Sequence, residues 1–326
     1  MKIELLLATI LLAHATIGCA SGGPTLQMTF KVTDESGGPL TKVPVHVVLF
    51  DHLNPGGGFG NPIYKEVICL TDTQGVAVAQ GTSPDNKVCY EVKNLPSHYD
   101  EGGVYSFRSS SVSRWQPWNP TIELVIRPIL NPVPMYARKL ETNIPTPAHK
   151  YGFDLMASDW VAPVGKGKTP DFIFEVTGHA TGVEDNDSKL TLSFSNPLDG
   201  IQPFNSINGS DFHSPRQAPL DGYQAKLELR RIRKPRQLSP DWIDDTKGDT
   251  NYFFRVRTVL GEDGKIKSAL YGKIYGGFKF GGAVENCYLE IKPYYLNPEP
   301  NSRNMEFDPK RNLFRKLDQF HEVTAP

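Results

Sequence analysis

Carboxylates gather at two places in this 326-residue chain: Glu184, Asp185 and Asp187 in "GVEDNDSK", and Asp241, Asp244, Asp245 and Asp249 in "PDWIDDTKGDTN". Calcium takes roughly six to eight oxygens, and a compact acidic loop supplies part of such a set. Neither group follows the D-x-[DN]-x-[DN]-G register. The second is therefore a calcium candidate weighed against a plain solvated loop, and no other cofactor is expected. Glycoside hydrolysis needs only two facing carboxylates about 5–10 Å apart, and 36 acidic residues offer many such pairs. A glycan hydrolase is thus the third-ranked function. The basic run Lys226, Arg230, Arg231, Arg233, Lys234 and Arg236 is dense enough to hold phosphate or an acidic polymer, but pairing with the acidic loop just after it is the simpler reading. In "SRWQPWNP", Trp115 and Trp118 stand three apart in a polar, Pro-rich stretch beside Arg114. Exposed rings there would stack on sugars, whereas burial is the commoner state of large aromatics.

Other chemistry lacks its residues. There is no G-x-S-x-G elbow, H-E-x-x-H helix or Walker loop, and "GGGFG" at 56–60 lacks the spacing of a dinucleotide fingerprint. The eight histidines are scattered without ligand spacing, and no C-x-x-C occurs. Cys69 and Cys89 are candidates for a disulfide in an oxidising compartment, although alternation puts Cys89 with Glu91 and Lys93. Cys287 falls in step with Leu289 and Ile291, as a buried small hydrophobe would. With 35 basic and 36 acidic side chains the net charge is −1, so no global field draws the chain to nucleic acid.

These residues must be positioned by strands. Pro (27) and Gly (29) are plentiful and apolar residues recur every second position. Met28, Phe30 and Val32 share a face, as do Val45, Val47 and Leu49, and about seven such runs fit between 25 and 132. A connector with five prolines at 128–150 then leads into 133–326, where Phe172, Phe174 and Val176, then Leu190, Leu192 and Phe194, alternate again. A slip at Arg230-Arg231 predicts a β-bulge. In "FDPKRNLFRKLDQF", Asp308 and Pro309 suit a helix start, and Leu313, Phe314, Leu317 and Phe320 recur on one side. The expectation is an all-β protein of two β-sandwich domains, an Ig- or transthyretin-like one at 25–132 and a larger jelly-roll-like one at 133–326, with a short C-terminal helix.

The opening "VTDESGGPL", the strand "VPVHV" and the turn "TDTQGVA" resemble the carboxypeptidase-regulatory-like, transthyretin-related sandwich of exported bacterial proteins. That resemblance implies a spacer, stabilising or adhesion module without chemistry of its own, with the Thr-Asp-x-x-Gly turn as a fold marker. Asp72 then accepts from the turn's own amides, and Gly75 takes the positive φ. The strings "GFDLMASDWVAP", "LTLSFSNPLDGIQPFN" and "YGKIYGGFKFG" resemble a group of exported bacterial proteins without an assigned activity.

Residues 1–18 read as an export signal, with Lys2 before the apolar run Leu5 to Ala13. "ATIGCASGG" resembles the bacterial lipobox, with Cys19 as the lipid-bearing residue, Thr16 where Leu is usual, and 19–24 as a flexible tether. Plain cleavage that removes Cys19 is the alternative. The resulting expectation is an exported, lipid-anchored, non-enzymatic binding or scaffolding protein of the cell envelope, in the outer membrane, the periplasm or at the cell surface. Its partner would be an envelope protein or a polysaccharide, and not a nucleic acid. A carbohydrate-binding module using Trp115, Trp118 and Arg114 is the alternative.

Overall fold

The computed structural model describes residues 23–53, 62–111, 113–182, 185–207, 209–236, 238, 241–247, 250–281 and 286–326. The export signal, Cys19, Asp249 and the Gly-rich stretch at 56–60 lie outside the described residues. The chain divides between Arg127 and Pro128 into two compact units. Pro128 to Pro132, placed by composition at the end of the first domain, is bonded into the second unit. The Leu130 and Asn131 amides each donate to the Glu306 carboxylate at 2.8 Å, and Arg216 donates to the Pro128 carbonyl at 2.7 Å.

Unit 1 is built from β1 (Thr25–Asp34), β2 (Pro44–Leu53), β3 (Pro62–Leu70), β4 (Val76–Thr82), β5 (Lys87–Val92), β6 (Glu101–Ser106), β7 (Ser109–Ser111), β8 (Arg114–Gln116) and β9 (Thr121–Ile126). One sheet centres on β1, which pairs antiparallel with β4 on one side and parallel with β8 and β9 on the other, while β7 pairs β8. The second sheet runs β3-β2-β5-β6. The period-2 pattern decides which faces meet: Met28, Phe30 and Val32 of β1, Val45, Val47 and Leu49 of β2, Val88 and Val92 of β5, and Leu124 and Ile126 of β9 form one buried core. Two Asx turns punctuate these strands. Asp34 Oδ1 accepts from the Ser36 and Gly38 amides at 2.8 Å, and Asp72 Oδ1 accepts from Gln74 at 2.8 Å and Val76 at 2.9 Å. Gly75 sits at φ +73°, where an added Cβ would lie 2.4 Å from the Val32 carbonyl oxygen. Asp72 is thus committed to its own turn.

Unit 2 continues with β10 (Tyr136–Asn143), β11 (Tyr151–Asp154), β12 (Asp159–Trp160), β13 (Phe172–Gly182), β14 (Asp185–Ser193), β15 (Gly200–Phe204), β16 (Lys226–Arg233), β17 (Ile243–Asp244), β18 (Asn251–Leu260), β19 (Ile266–Ile274), β20 (Phe278–Gly281) and β21 (Tyr288–Asn297). One sheet runs β12-β11-β13-β14-β16-β17 and the other β10-β21-β19-β18-β15, with β20 also paired to β21. Phe172, Phe174 and Val176 from the first and Phe254, Ile274, Leu289, Ile291 and Tyr294 from the second share a core. All four sheets are consistent with sandwich packing. Among the described residues no helix is long and apolar enough to cross a membrane.

Two expectations are corrected. The C-terminal helix is a single 3-10 turn at Pro309–Arg311, capped by Asp308 as the sequence suggests. It stops because Asn312 turns extended and the Leu313 amide donates to the Met135 carbonyl at 2.9 Å, taking the chain along the sheet instead of around a helix. Phe314 packs edge-on against Tyr136, whereas Phe320 remains 74% exposed. The predicted bulge at Arg230-Arg231 is absent as well. β16 pairs with β14 in unbroken register, and Arg231 takes the slot after Leu229 on that face, its Nη1 donating to the Phe280 carbonyl at 2.8 Å.

Candidate functional site

The two tryptophans expected to form a sugar platform are separated by their environments. Trp115 on β8 is 9% exposed, joins the unit 1 core beside Phe107, and donates Nε1–H to the Ser83 carbonyl at 2.8 Å. Trp118 is 37% exposed, and the Arg114 guanidinium lies 4.7 Å from its ring centre. Arg114 therefore lies over one face of the Trp118 ring, which stays partly exposed, whereas Trp115 is buried in the core. The paired platform is not formed, because β8 inserts its middle residue into the sandwich.

The acidic loop does not converge on a cation. Asp245 accepts from the Arg230 backbone amide at 2.9 Å and from its Nε at 3.3 Å. Asp244 faces Arg231 at 3.7 Å and Lys247 at 3.9 Å, and its Oδ1 accepts from Thr246. Among the described residues no three acidic, His or Cys side chains gather to hold a metal. Asp244 and Asp245 are thus engaged with Arg230 and Arg231 of the basic strand β16. Cys69 and Cys89 are free thiols. Their strands flank β2 on opposite sides, Cys69 opposite Val45 and Cys89 opposite Val48. Two strand spacings of about 4.8 Å exceed the reach of a disulfide.

Sequence reasoning missed the densest buried charges. Arg257, at a break in the β18–β19 register with φ +55°, donates to both Asp171 oxygens at 2.7 and 2.8 Å and to Asp154 Oδ1 at 3.0 Å. Burial is the largest influence on Asp171 and lifts it above its ordinary value against the pull of Arg257. Burial also acts to raise Asp154, but the Lys168, Ala157 and Thr169 amides together with Arg257 hold it below the usual carboxylate range. The Leu155, Met156, Ala157, Lys168 and Thr169 amides occupy the remaining acceptor sites, so the cluster pins loops together rather than facing a substrate.

The surface with recognition character lies on unit 1. Among the described residues β3 is an edge strand of nine residues, and Ile63, Tyr64, Ile68 and Leu70 along it are exposed. Register extends this apolar surface over the sheet: Glu66, Val48, Cys89 and Val104 form one row across the four strands, and Ile68, His46 and Glu91 the next. Tyr64 meets Phe50 edge-on at 6.0 Å. At the centre, His46 Nδ1–H donates to Glu66 Oε1 at 2.8 Å, and Lys93 bonds both Glu66 and Glu91. The His46 ring, then Lys93, hold the Glu66 carboxyl below its ordinary value. An unpaired strand edge offers backbone donors and acceptors to another extended chain, and natural edges are usually blunted by charge or proline. On β3 that protection is confined to Pro62, Lys65 and Glu66. The alternation identified the strands and their faces, but not which strand would be left at an edge.

The chain matches no known protein family and no curated protein.

Proposed function

We propose that this is an exported, non-enzymatic binding or scaffolding protein of the cell envelope, held at a membrane by a lipid on Cys19, which grips an extended segment of a partner protein along β3. The observation that carries the reading is the open β3 edge with exposed Ile63, Tyr64, Ile68 and Leu70 beside it. Strand addition of this kind draws affinity from main-chain hydrogen bonds and selectivity from alternate side chains. Over nine residues it engages about 30 Å of partner. The partner segment presents apolar side chains to Tyr64 and Ile68, with a charged one between them to match the His46–Glu66–Lys93 group. The resemblance to carboxypeptidase-regulatory-like, transthyretin-related sandwiches is supported by the Asp34 and Asp72 turns, and such modules serve as spacers and adhesion units. Unit 2, read as a jelly-roll-like sandwich, is the second display body.

A photo-crosslinking residue in place of Ile68 tests the idea in the full chain on intact cells, with the same residue in place of Val78, exposed on the other sheet, as the control. Crosslinking from 68 alone to one envelope protein is expected. A peptide of that protein's crosslinked segment should then slow hydrogen exchange of β3 amides. Equal crosslinking from both positions, or no protection of β3, refutes the reading.

A further inference from the structure

In unit 2 the first half of β21 is paired on one side with β10 and on the other with β20. Leu140, Phe278, Phe280, Leu289 and Ile291 from these strands belong to the core. Strand alternation turns the residues between them to the outer face. Register sets those residues in two rows: Asn143, Tyr288 and Gly281 in one, and Glu141, Glu290 and Lys279 in the next.

Tyr288 does not stand straight off this surface. A Cβ at Gly281 would lie 3.0 Å from the Tyr288 ring carbon Cε1 and 3.3 Å from its hydroxyl oxygen. Neighbouring strands are about 4.8 Å apart, so the ring leans sideways from β21 over β20, and the missing side chain of Gly281 is what lets it settle there. Tyr288 is nonetheless 44% exposed, which leaves the ring an accessible face. Beside it the surface opens into a hollow of about 400 Å³ lined by Glu141, Thr142, Asn143, Tyr288 and Glu290. That volume falls in the range of small-molecule sites.

The polar groups decide what fits. Lys279 Nζ lies 3.3 Å from Glu290 Oε2, and Lys292 Nζ lies 3.8 Å from Oε1. Glu141 and Glu290 are thus matched by two ammonium groups, so the floor has no net charge with which to select an ion. Its groups are those that serve hydroxyls: a carboxylate accepts from two O–H groups, the Asn143 amide both donates and accepts, and a lysine donates to an ether or hydroxyl oxygen. An exposed aromatic face takes the C–H side of a flat polar ring. We infer that this hollow binds a neutral saccharide, its C–H face on Tyr288 and its hydroxyls on Glu141, Asn143 and Glu290. Because paired strands hold these side chains in register, little ordering is left for the ligand to impose. The site is separate from the β3 edge and gives unit 2 a ligand class of its own.

The test is saturation-transfer NMR of the full chain with glucose, galactose, N-acetylglucosamine and lactose, beside glucuronate and glucosamine as charged controls. Transfer to at least one neutral sugar is expected, with weaker binding of both charged sugars. Tyr288→Ala should lower the affinity about tenfold, and Glu141→Gln should lower it by a smaller factor. Asn143→Ala, at another exposed position on the sheet, serves in place of Tyr288→Ala should that variant fail to fold. Trp118→Ala, on unit 1, should leave sugar binding unchanged. No transfer to any neutral sugar, equal or tighter binding of the charged ones, or unchanged affinity in the folded Tyr288→Ala or Asn143→Ala chain overturns the assignment. So does a loss of binding in Trp118→Ala alone.

Discussion

Replacing Arg257 by Met tests whether the buried Asp154–Arg257–Asp171 cluster holds unit 2 together. Methionine preserves the unbranched stem and meets the same φ of +55° with no greater steric penalty, so the change isolates the guanidinium. What it removes is two bonds to Asp171, whose side chain is fully buried, and one to Asp154. Leaving a buried charge without its partner costs about 3–5 kcal/mol, and because Arg257 is itself one-quarter exposed the lower end applies, about 3 kcal/mol. For a unit of roughly 200 residues that lowers Tm by about 6–12 °C. Proton linkage gives the loss a signature. Burial already raises Asp171, and without Arg257 it rises further, so the folded variant binds a proton more tightly than the unfolded chain. A carboxyl whose folded pKa lies above its unfolded value favours folding as pH falls. The deficit should therefore be largest near neutral pH and shrink as the pH falls toward the ordinary carboxylate value of about 4, by up to ~1.4 kcal/mol for each unit that Asp171 has moved. Calorimetry of wild type and variant across that range measures it, and adding Asp171→Asn to the variant should return more than half of the lost stability. A deficit under about 1 kcal/mol, or one that does not change with pH, refutes the reasoning.

Two further outcomes follow from burial in unit 1. Trp115→Ala removes a core ring and strands the Ser83 carbonyl, and should cost about 3–5 kcal/mol in denaturant unfolding; Trp118→Ala should cost no more than ~1 kcal/mol, the scale of its exposed contact with Arg114. Equal losses would contradict the placement of β8. Cys89 is exposed, Cys69 is half-buried and Cys287 is buried, and burial pushes the latter two thiols up. Mass mapping after brief treatment with a thiol-reactive reagent near pH 8 should thus find Cys89 labelled at least about tenfold faster. An unreactive Cys89 would count against free thiols on opposite sides of β2.

Strands with one buried face were legible because a single pattern reports a single face. Met28, Phe30 and Val32, or Phe172, Phe174 and Val176, alternate and are buried as they alternate. β7 and β8, three residues each, are too short for any period, so Trp115 passed for a loop residue. The tail misled for a different reason. Asp308 and Pro309 do start a helical turn, but apolar spacing alone does not show that the Leu313 amide will find the Met135 carbonyl first. In "YQAKLELRRIR", Arg231 has an apolar stem and a carbonyl to reach, and it holds a face-inward slot that a hydrophobicity pattern assigns to a defect. The candidate sites were less visible still. The exposure of β3 depends on a sheet order that no local pattern encodes.

The first and last strands of unit 1 lie side by side and run the same way, with six residues of β1, Thr29 to Asp34, facing Thr121 to Ile126 of β9. Tension applied before Thr25 and after Ile126 would therefore act along the two strands in opposite senses, loading their hydrogen bonds together in shear, where a hairpin pulled from its open end would give way one bond at a time. Unit 1 is in that sense a mechanical clamp. A unit loaded through this pair can transmit force without opening, and under load the rate at which the clamp yields, rather than its equilibrium stability, sets how long it holds.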